Sequence, residues 1–173
     1  MSKVDGKFSL RQATLNDQEN IWKILQQAIE RRKLDFSNQW QDGYPNPESI
    51  KNDIENNFGF VLEAENEIIG YAAIIDEIEP AYEIIEGQWL SNQKYMVVHR
   101  VAVSNKYIGK GIATIIFQEI EKIVISRKIH SIKVDTNFDN IPMLKILDKL
   151  SYAYCGEVYF RGSARKAFQK LLI

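Results

Sequence analysis

The sequence predicts a mixed α/β fold in which a single central mixed β-sheet is flanked by helices. Segments with apolar residues at helical spacing alternate with short, β-branched runs. The predicted order of elements is β-α-α-β-β-β-α-β-α-β, with a strand–loop–helix–strand unit at its centre. A length of 173 residues suits one domain, which we place at residues 1–173.

The first third of the chain is predicted to hold one strand and two helices. The segment "FSLRQA" alternates modestly and favours a short first strand. Thr14 and Asp17 have the spacing of a capping box, and Asp17 itself is an alternative cap. A stripe of apolar residues at helical spacing follows them. Asn46 followed by Pro47 indicates the start of a second, shorter helix.

The middle of the chain is predicted to contain a hairpin, a strand and a long helix. Phe60–Glu63 and Ile68–Ile75 read as strands joined by the turn "ENE". The polar residues 76–94 then form a connection of a length that is often functional. After the strand "YMVVHRVAV", a one-sided apolar stripe predicts a helix from Gly109 to about Lys128.

The last third is predicted to add two strands and a helix. "HSIKVDT" and "AYCGEVYF" are the strands, and the helix between them has Asn140 as its cap and Pro142 in its first turn. The tail "ARKAFQKLLI" leaves two alternatives, because its propensity favours helix while a final strand also fits.

Composition and charge exclude several classes of function. With 22 Lys plus Arg and 23 Asp plus Glu, the net charge of -1 does not favour binding to nucleic acid or to an anionic membrane. The single Cys155 excludes an intrachain disulfide and a cysteine-based zinc cluster, and we expect it to be a buried apolar residue. His99 and His130 lie far apart, so no metal is predicted.

The sequence gives no sign of secretion or membrane insertion. The opening segment "MSKVDGKFSL" lacks the apolar core of a signal peptide, and no apolar run approaches the length that spans a bilayer. We therefore expect a cytoplasmic protein.

The stretch "KYIGKGIA", residues 106–113, is the main candidate for ligand binding. It joins a predicted strand to a predicted helix, and the first N–H groups of a helix have no acceptor within that helix. These groups and the helix dipole stabilise an anion, especially a phosphate. Gly109 and Gly111 remove side chains that would keep the phosphate away, while Lys106 and Lys110 add positive charge.

Taken alone, the two glycines favour an ordinary turn. The sequence lacks the "GxxxxGK[ST]" pattern of a P-loop, and Thr114 stands where a dinucleotide-binding fingerprint requires its third glycine. The function of the loop therefore depends on the segments around it.

The segment "VAVSNKYIGKGIATIIFQEIEKI" resembles the central motif of the GNAT-type N-acetyltransferases, which use acetyl-CoA. Val101, Ala102 and Val103 match the end of the family's strand, and Gly109 and Gly111 match its glycines. Lys106 stands at a position that is usually Arg or Gln. The segment "DNIPMLKILDKLSYAYCGEV" is similar to a later motif of the family, with Asn140 at the matching Asn.

The resemblance, which covers nearly the whole chain, implies an acyl-CoA N-acyltransferase-like fold with a final strand in the tail. It implies that the pantetheine arm of acetyl-CoA pairs with the backbone of Val101 and Val103, like an added strand. The pyrophosphate would lie on the N–H groups of Ile108, Gly109, Lys110, Gly111, Ile112 and Ala113. It also implies direct transfer of the acetyl group to a primary amine of a small molecule or peptide, and a homodimer as a common assembly.

An acceptor amine must lose a proton before it can attack, so a base or a relaying water is needed. His99 shares a strand face with Val101 and Val103 and is a candidate base if that face looks into the acceptor pocket. The favoured alternative is a packing or hydrogen-bonding histidine. Glu77 and Glu79, just after a strand, are rival bases or solvated loop carboxylates.

The acceptor site is expected between residues 36–46 and the long connection. The candidate acceptor-binding side chains there are aromatic or acidic, which suits a cationic amine: Trp40, Tyr44, Tyr82, Glu86 and Trp89. The alternative is that the aromatic ones close a small core.

One departure from the family favours a different function. Many relatives carry a Tyr general acid where this sequence has Leu147, and Tyr152 and Tyr154 do not match that position. This keeps open a CoA-binding sensor or interaction module that has lost catalysis. A third alternative is a binding domain without coenzyme, in which the glycines form only a turn.

Overall fold

The computed structural model describes residues 7–173 and confirms the predicted mixed α/β class. Residues 1–6 of the opening segment, where no signal peptide is expected, lie outside the described residues. The elements are β1 Phe8–Gln12, α1 Gln18–Leu34, α2 Pro47–Glu55, β2 Gly59–Ala64, β3 Glu67–Ile75, β4 Glu86–Gly87, β5 Met96–Val103, α3 Ile112–Ser126, β6 Ser131–Thr136, α4 Ile141–Lys149, β7 Ala153–Phe160 and β8 Ser163–Leu171.

The chain divides into two compact units. The first contains the described residues through Ile74 together with Arg100–Ile120, and the second contains Ile75–His99 and Glu121–Ile173. The strand β5 and the helix α3 each contribute residues to both units.

The first unit is built on an antiparallel meander of β1, β2 and β3. The apolar stripe of α1 packs with α2 into a core that includes Ile21, Leu25 and Ile50. Beyond β5, the N–H of Ser104 donates to the carbonyl of Ile69 at 2.9 Å, which places the end of β5 beside β3.

The second unit has a mixed sheet. β5 pairs with β6 in parallel over Met96–Val98, whereas β8 pairs antiparallel with both β6 and β7. The two residues of β4 pair with β7. A small core of Tyr82, Val97, Val158 and Ala167 lies in this unit.

The predicted capping residues lie at the starts of their helical segments. The N–H of Thr14 donates to Asp17 Oδ2 at 2.7 Å across the 3₁₀ turn Leu15–Asp17 that precedes α1, and Asp17 is the residue before the first turn of α1. In α2 the N–H of Ser49 donates to Asn46 Oδ1 at 2.9 Å, which satisfies a donor that the helix itself leaves without a partner.

Two segments differ from the sequence expectation, and the tail decides between two alternatives that the sequence leaves open. The helix α3 begins at Ile112 because Gly109 and Gly111 have φ angles of +76° and +75°, outside the right-handed helical region. The tail forms β8, which confirms the final strand that the family resemblance implies, and pairing on both edges outweighs its helix propensity. The long connection contains a 3₁₀ turn at Pro80–Ile84 and the short strand β4, neither of which the sequence predicts.

Candidate active site

A loop with two exposed glycines joins β5 to α3 in the first unit. Gly109 and Gly111 both have positive φ, which L side chains adopt only with strain. A Cβ added at either position would meet no atom within 4 Å. The backbone is therefore open on the side where a side chain would otherwise project.

This open backbone leads directly into the start of α3. The first N–H groups of the helix lack acceptors within it, and its dipole adds partial positive charge. Ile108 and Lys110 are exposed beside the glycines, whereas Ile112 is buried and anchors the first turn. These residues fit the pyrophosphate of a coenzyme, because an anion there meets N–H donors without a side chain in the way.

Two side chains from α1 fix the beginning of the glycine loop. Arg31 Nη2 donates to the carbonyl of Val103 at 2.9 Å, and Arg31 Nη1 donates to the side chain of Asn105. The main-chain N–H of Asn105 donates to Gln27 Oε1 at 2.9 Å. Burial lowers the pKa of Arg31. The sequence analysis missed this support, since α1 precedes the loop by some 70 residues.

Lys106 is less available to a ligand than its position in the motif indicates. Its ammonium is 3.1 Å from Glu67 Oε2, and the hydroxyl of Tyr107 donates to the same carboxylate oxygen at 3.1 Å. The hydrogen bond to Glu67 raises the pKa of Lys106. Because the pair is exposed, a ligand phosphate can compete with Glu67 for this lysine.

The expected pantetheine-binding backbone lies at the end of β5. Ala102 and Val103 are buried, and Val101 is half-buried. The carbonyl of Val103 already accepts from Arg31, so a ligand there would use its second lone pair.

In the second unit, Asn140 is the cap of α4. Its Oδ1 accepts from the N–H of Met143 at 3.4 Å. Leu147, at the position where many relatives carry a Tyr acid, is fully buried in α4. Tyr152 is buried and donates to Glu121 Oε1 at 3.2 Å, whereas Tyr154 is exposed on β7.

His99 lies between two carboxylates of the second unit. Its Nε2 is 3.5 Å from Glu79 Oε2, and its Nδ1 is 3.9 Å from Asp135 Oδ2. The imidazole is 16% exposed, Glu79 is 23% exposed and Asp135 only 2%. Nε2 therefore faces the more accessible carboxylate, while Asp135 lies on the inner side.

Burial raises the pKa of Asp135, and the coulombic interactions of Asp135 with His99 and Arg165 oppose that rise. The hydroxyl of Tyr82 donates to Asp135 Oδ2 at 3.0 Å. Arg165 Nη1 is 3.8 Å from the other oxygen of Asp135. A buried carboxylate with three polar neighbours is typical of functional sites.

The aromatic residues of the long connection contribute chiefly to packing. Tyr82 is 1% exposed, and its ring lies 5.2 Å from that of Trp89 and 6.3 Å from that of His99. The ammonium of Lys133, whose pKa is lowered by burial, lies 4.2 Å from the ring centroid of Trp89 and 4.0 Å from that of Tyr95. These contacts hold the connection against β6.

The other predicted site residues occupy varied positions. Glu77 is exposed, whereas Glu79 is the carboxylate beside His99. Glu86 is exposed and accepts from the hydroxyl of Tyr159 at 2.8 Å. In the first unit, Trp40 packs against the helical core, and Tyr44 contacts the guanidinium of Arg100.

Arg100 belongs to a buried polar network in the first unit. Its Nε donates to Asp53 Oδ2 at 2.8 Å, and the hydroxyl of Tyr71 donates to the same oxygen at 2.6 Å. Arg100 has a φ of +54°, so β5 is irregular immediately after His99. The network holds the side chain of this strained residue in place.

One pattern in the sequence indicates the buried charged residues of the second unit. Lys133 and Asp135 alternate with apolar residues in "SIKVD", and charged side chains on a buried strand need partners. That pattern could have identified Asp135 and its neighbours. Nothing comparable marks Arg165, because Arg is common on exposed strands.

Two other kinds of site are absent from the described residues. Within residues 7–173, no helix is both long and apolar enough to cross a membrane. In the same part of the chain, no group of three or more His, Cys, Asp or Glu side chains has an arrangement that could hold a metal ion.

Comparison with known proteins places these features in a family. The sequence profile of the Acetyltransferase (GNAT) family matches residues 25–152. A crystal structure of a GNAT-family acetyltransferase from Streptococcus agalactiae is 36% identical, with 96% of each chain covered and a TM-score of 0.88. Among curated proteins, none matches the sequence significantly.

Two further crystal structures show the same fold at lower identity. A GNAT-family acetyltransferase from Listeria monocytogenes is 20% identical, with 99% of each chain covered and a TM-score of 0.79. A ribosomal-protein-alanine N-acetyltransferase from Brucella melitensis is 19% identical, with 95% of this chain and 99% of that chain covered and a TM-score of 0.70. The family profile and the Streptococcus structure, together with the glycine loop before α3, lead to one conclusion: this chain belongs to the GNAT acetyltransferase family.

Proposed function

We propose that this protein transfers the acetyl group of acetyl-CoA directly to a primary amine of a small molecule or peptide. Membership of the GNAT family supports acyl transfer in general. The single observation that carries the coenzyme assignment is the open backbone at Gly109 and Gly111 before α3. Residues 108–113 would bind the pyrophosphate there, and the coenzyme would supply an activated thioester.

We assign the general base to His99. A neutral imidazole can accept the proton that the amine loses on attack. Nε2 faces the accessible side, where Glu79 would stabilise the imidazolium that forms, while Asp135 orients the ring from the side of Nδ1. Glu77 has no comparable geometric support and is the weaker candidate.

The backbone of β5 would hold the rest of the coenzyme. We assign the pantetheine contacts to Val101, Ala102 and Val103, with Arg31 fixing the end of the strand. Lys106 would add charge near the phosphates after exchanging its contact with Glu67. We also assign a coenzyme contact to Asn140, which caps the first turn of α4.

A coenzyme-binding sensor without catalysis is the second candidate. It is favoured by Leu147, which is buried and cannot donate a proton to the leaving thiolate. The acceptor contacts at Trp40, Tyr44, Tyr82, Glu86 and Trp89, the cytoplasmic location and the homodimer also remain predictions.

Two measurements test the proposal. Isothermal titration calorimetry with acetyl-CoA should show binding, and an absence of binding at millimolar coenzyme would contradict both candidates. Thiol release should then be measured with polyamines, amino sugars, amino acids and peptides. Release with an amine supports the enzyme, whereas binding without release on any acceptor supports the sensor.

A further inference from the structure

We infer that the acceptor amine carries a carboxylate, as an amino acid does, and that Arg165 binds this carboxylate. The inference rests on the proposed function, because it concerns the acceptor of the same reaction. It is carried by buried polar groups at one end of the β6–β8 pair.

Arg165 and Asn137 lie at the same end of the β6–β8 pair. The last pair of this ladder is Thr136↔Lys166, and Asn137 follows Thr136 while Arg165 precedes Lys166. Asp135 contacts Arg165, so these two side chains share a face, and the alternation of side chains along a strand would bring Asn137 to that face as well.

Both side chains contain a buried polar atom that lacks a hydrogen-bond partner. Among the described residues, Arg165 Nε has no acceptor and Asn137 Oδ1 has no donor. Buried polar groups are satisfied in nearly all native structures, so two unsatisfied groups in one place are candidates for contact with a bound molecule. Arg165 Nε is a donor and Asn137 Oδ1 is an acceptor. Together they suit a molecule that carries both an acceptor and a donor, as an amino acid does.

His99, which lies between Glu79 and Asp135, borders the same face. Asp135 contacts His99 through Oδ2 at 3.9 Å and Arg165 through Oδ1 at 3.8 Å. The ring of Phe160 lies 6.1 Å from that of His99 and 5.3 Å from the guanidinium carbon of Arg165. An acceptor whose amine reaches His99 therefore has Arg165 nearby.

The charges of these residues favour an acceptor with a negative group. The contact between Arg165 and Asp135 is long for an ion pair, so it does not use the hydrogen-bonding fork of the guanidinium. A planar guanidinium binds a carboxylate through two parallel hydrogen bonds. A polyamine would instead bring an ammonium towards Arg165, which is unfavourable.

Matched acceptors that differ only in the carboxylate test the inference. We would compare L-lysine with cadaverine, L-ornithine with putrescine and L-tryptophan with tryptamine in the thiol-release assay. The amino acids should have kcat/KM values at least about tenfold higher. Equal or higher values for the decarboxylated amines would overturn the inference and leave acetyl transfer intact.

Variants of Arg165 test whether this residue causes the preference for acceptors that carry a carboxylate. Arg165→Met should raise KM for amino acids by about tenfold or more and leave KM for acetyl-CoA unchanged. Arg165→Lys, which retains the charge but not the fork, should restore part of the loss. The control Lys166→Met changes the next cation on the opposite face of β8, where it lies near Phe138 and Tyr154.

Two further experiments apply if a variant does not fold or if the protein acetylates none of the acceptors. If Arg165→Met does not fold, Asn137→Asp tests the same site, since the added carboxylate should repel an amino acid and spare cadaverine. If no acceptor reacts, calorimetry with L-lysine, L-tryptophan and their decarboxylated partners decides. Failure of the amino acids to bind would overturn the inference, whereas the acetyl-CoA titration reports separately on the proposed function.

Discussion

Arg31 donates a hydrogen bond from Nη2 to the carbonyl of Val103 at 2.9 Å, and thereby ties α1 to the end of β5. The same guanidinium binds the side chain of Asn105, whose main-chain N–H donates to Gln27. The first residues of the glycine loop are thus held by side chains from a helix distant in sequence. This contact is the physical basis for expecting a preformed coenzyme site.

Replacing Arg31 should weaken coenzyme binding. Arg31→Met removes charged hydrogen bonds that fix the loop, so affinity for acetyl-CoA should fall about tenfold. Lys33→Met, on the same helix but exposed, serves as the control. Calorimetry on the two folded variants makes the comparison, and equal affinities would show that α1 does not position the loop.

A side chain at Gly111 should block the coenzyme. Gly111→Val adds bulk to the open backbone, and we expect an affinity for acetyl-CoA reduced at least about tenfold. Gly162→Val is a matched control, because Gly162 has a φ of +76° and similar open space in another turn. Both variants should lose about 1 kcal/mol of stability from backbone strain. If Gly162→Val weakens binding as much, the loop assignment is wrong.

His99 should control the rate of transfer. His99→Ala should lower kcat by about 10²–10⁴-fold with KM for acetyl-CoA unchanged, because the amine proton loses its acceptor. Added imidazole should restore part of the rate, which a purely structural role would not allow. His130→Ala is the control, since that side chain is exposed. A normal rate in His99→Ala would remove it as the base.

The buried pair of Arg100 and Asp53 should be costly to break. Arg100→Met leaves the carboxylate of Asp53 buried without its ion-pair partner, and we expect a loss of about 3–5 kcal/mol in unfolding free energy. The double variant Arg100→Met, Asp53→Leu should recover much of this loss. Denaturant titration of both variants measures their unfolding free energies. If the losses from the two substitutions simply add in the double variant, Arg100 and Asp53 do not stabilise the fold as a pair.

Asp17 should stabilise the fold except in acid. The hydrogen bonds from Arg11, opposed by burial, lower the pKa of Asp17 from 3.8 to about 2. A lowered folded-state pKa gives stability that is present above pH 3.8 and is lost as pH falls towards 2. Asp17→Asn should cost about 1–2 kcal/mol at pH 7, allowing for the half-exposed Arg11. The gap between the two unfolding curves should narrow below pH 4, and a constant gap would contradict this assignment.

Most of the helices and strands, and the glycine loop, follow from local patterns in the sequence. Helix caps such as Asn46 and Asn140, and the apolar stripe of α3, are local patterns that depend on near neighbours in the chain. Gly109 and Gly111 are also local, because a positive φ is a property of each residue and its immediate backbone. The resemblance of the loop to the GNAT motif was therefore readable without coordinates.

The surroundings of those local features depend on contacts between segments that are distant in the sequence. The tail became β8 because β6 and β7 supply its hydrogen bonds, which its own propensity does not indicate. Arg31 reaches the glycine loop, and Glu79, Asp135 and Arg165 gather around His99, only because folding brings distant segments together. Ion pairs and hydrogen bonds act over a few ångströms in space, and one sequence without coordinates does not record those distances.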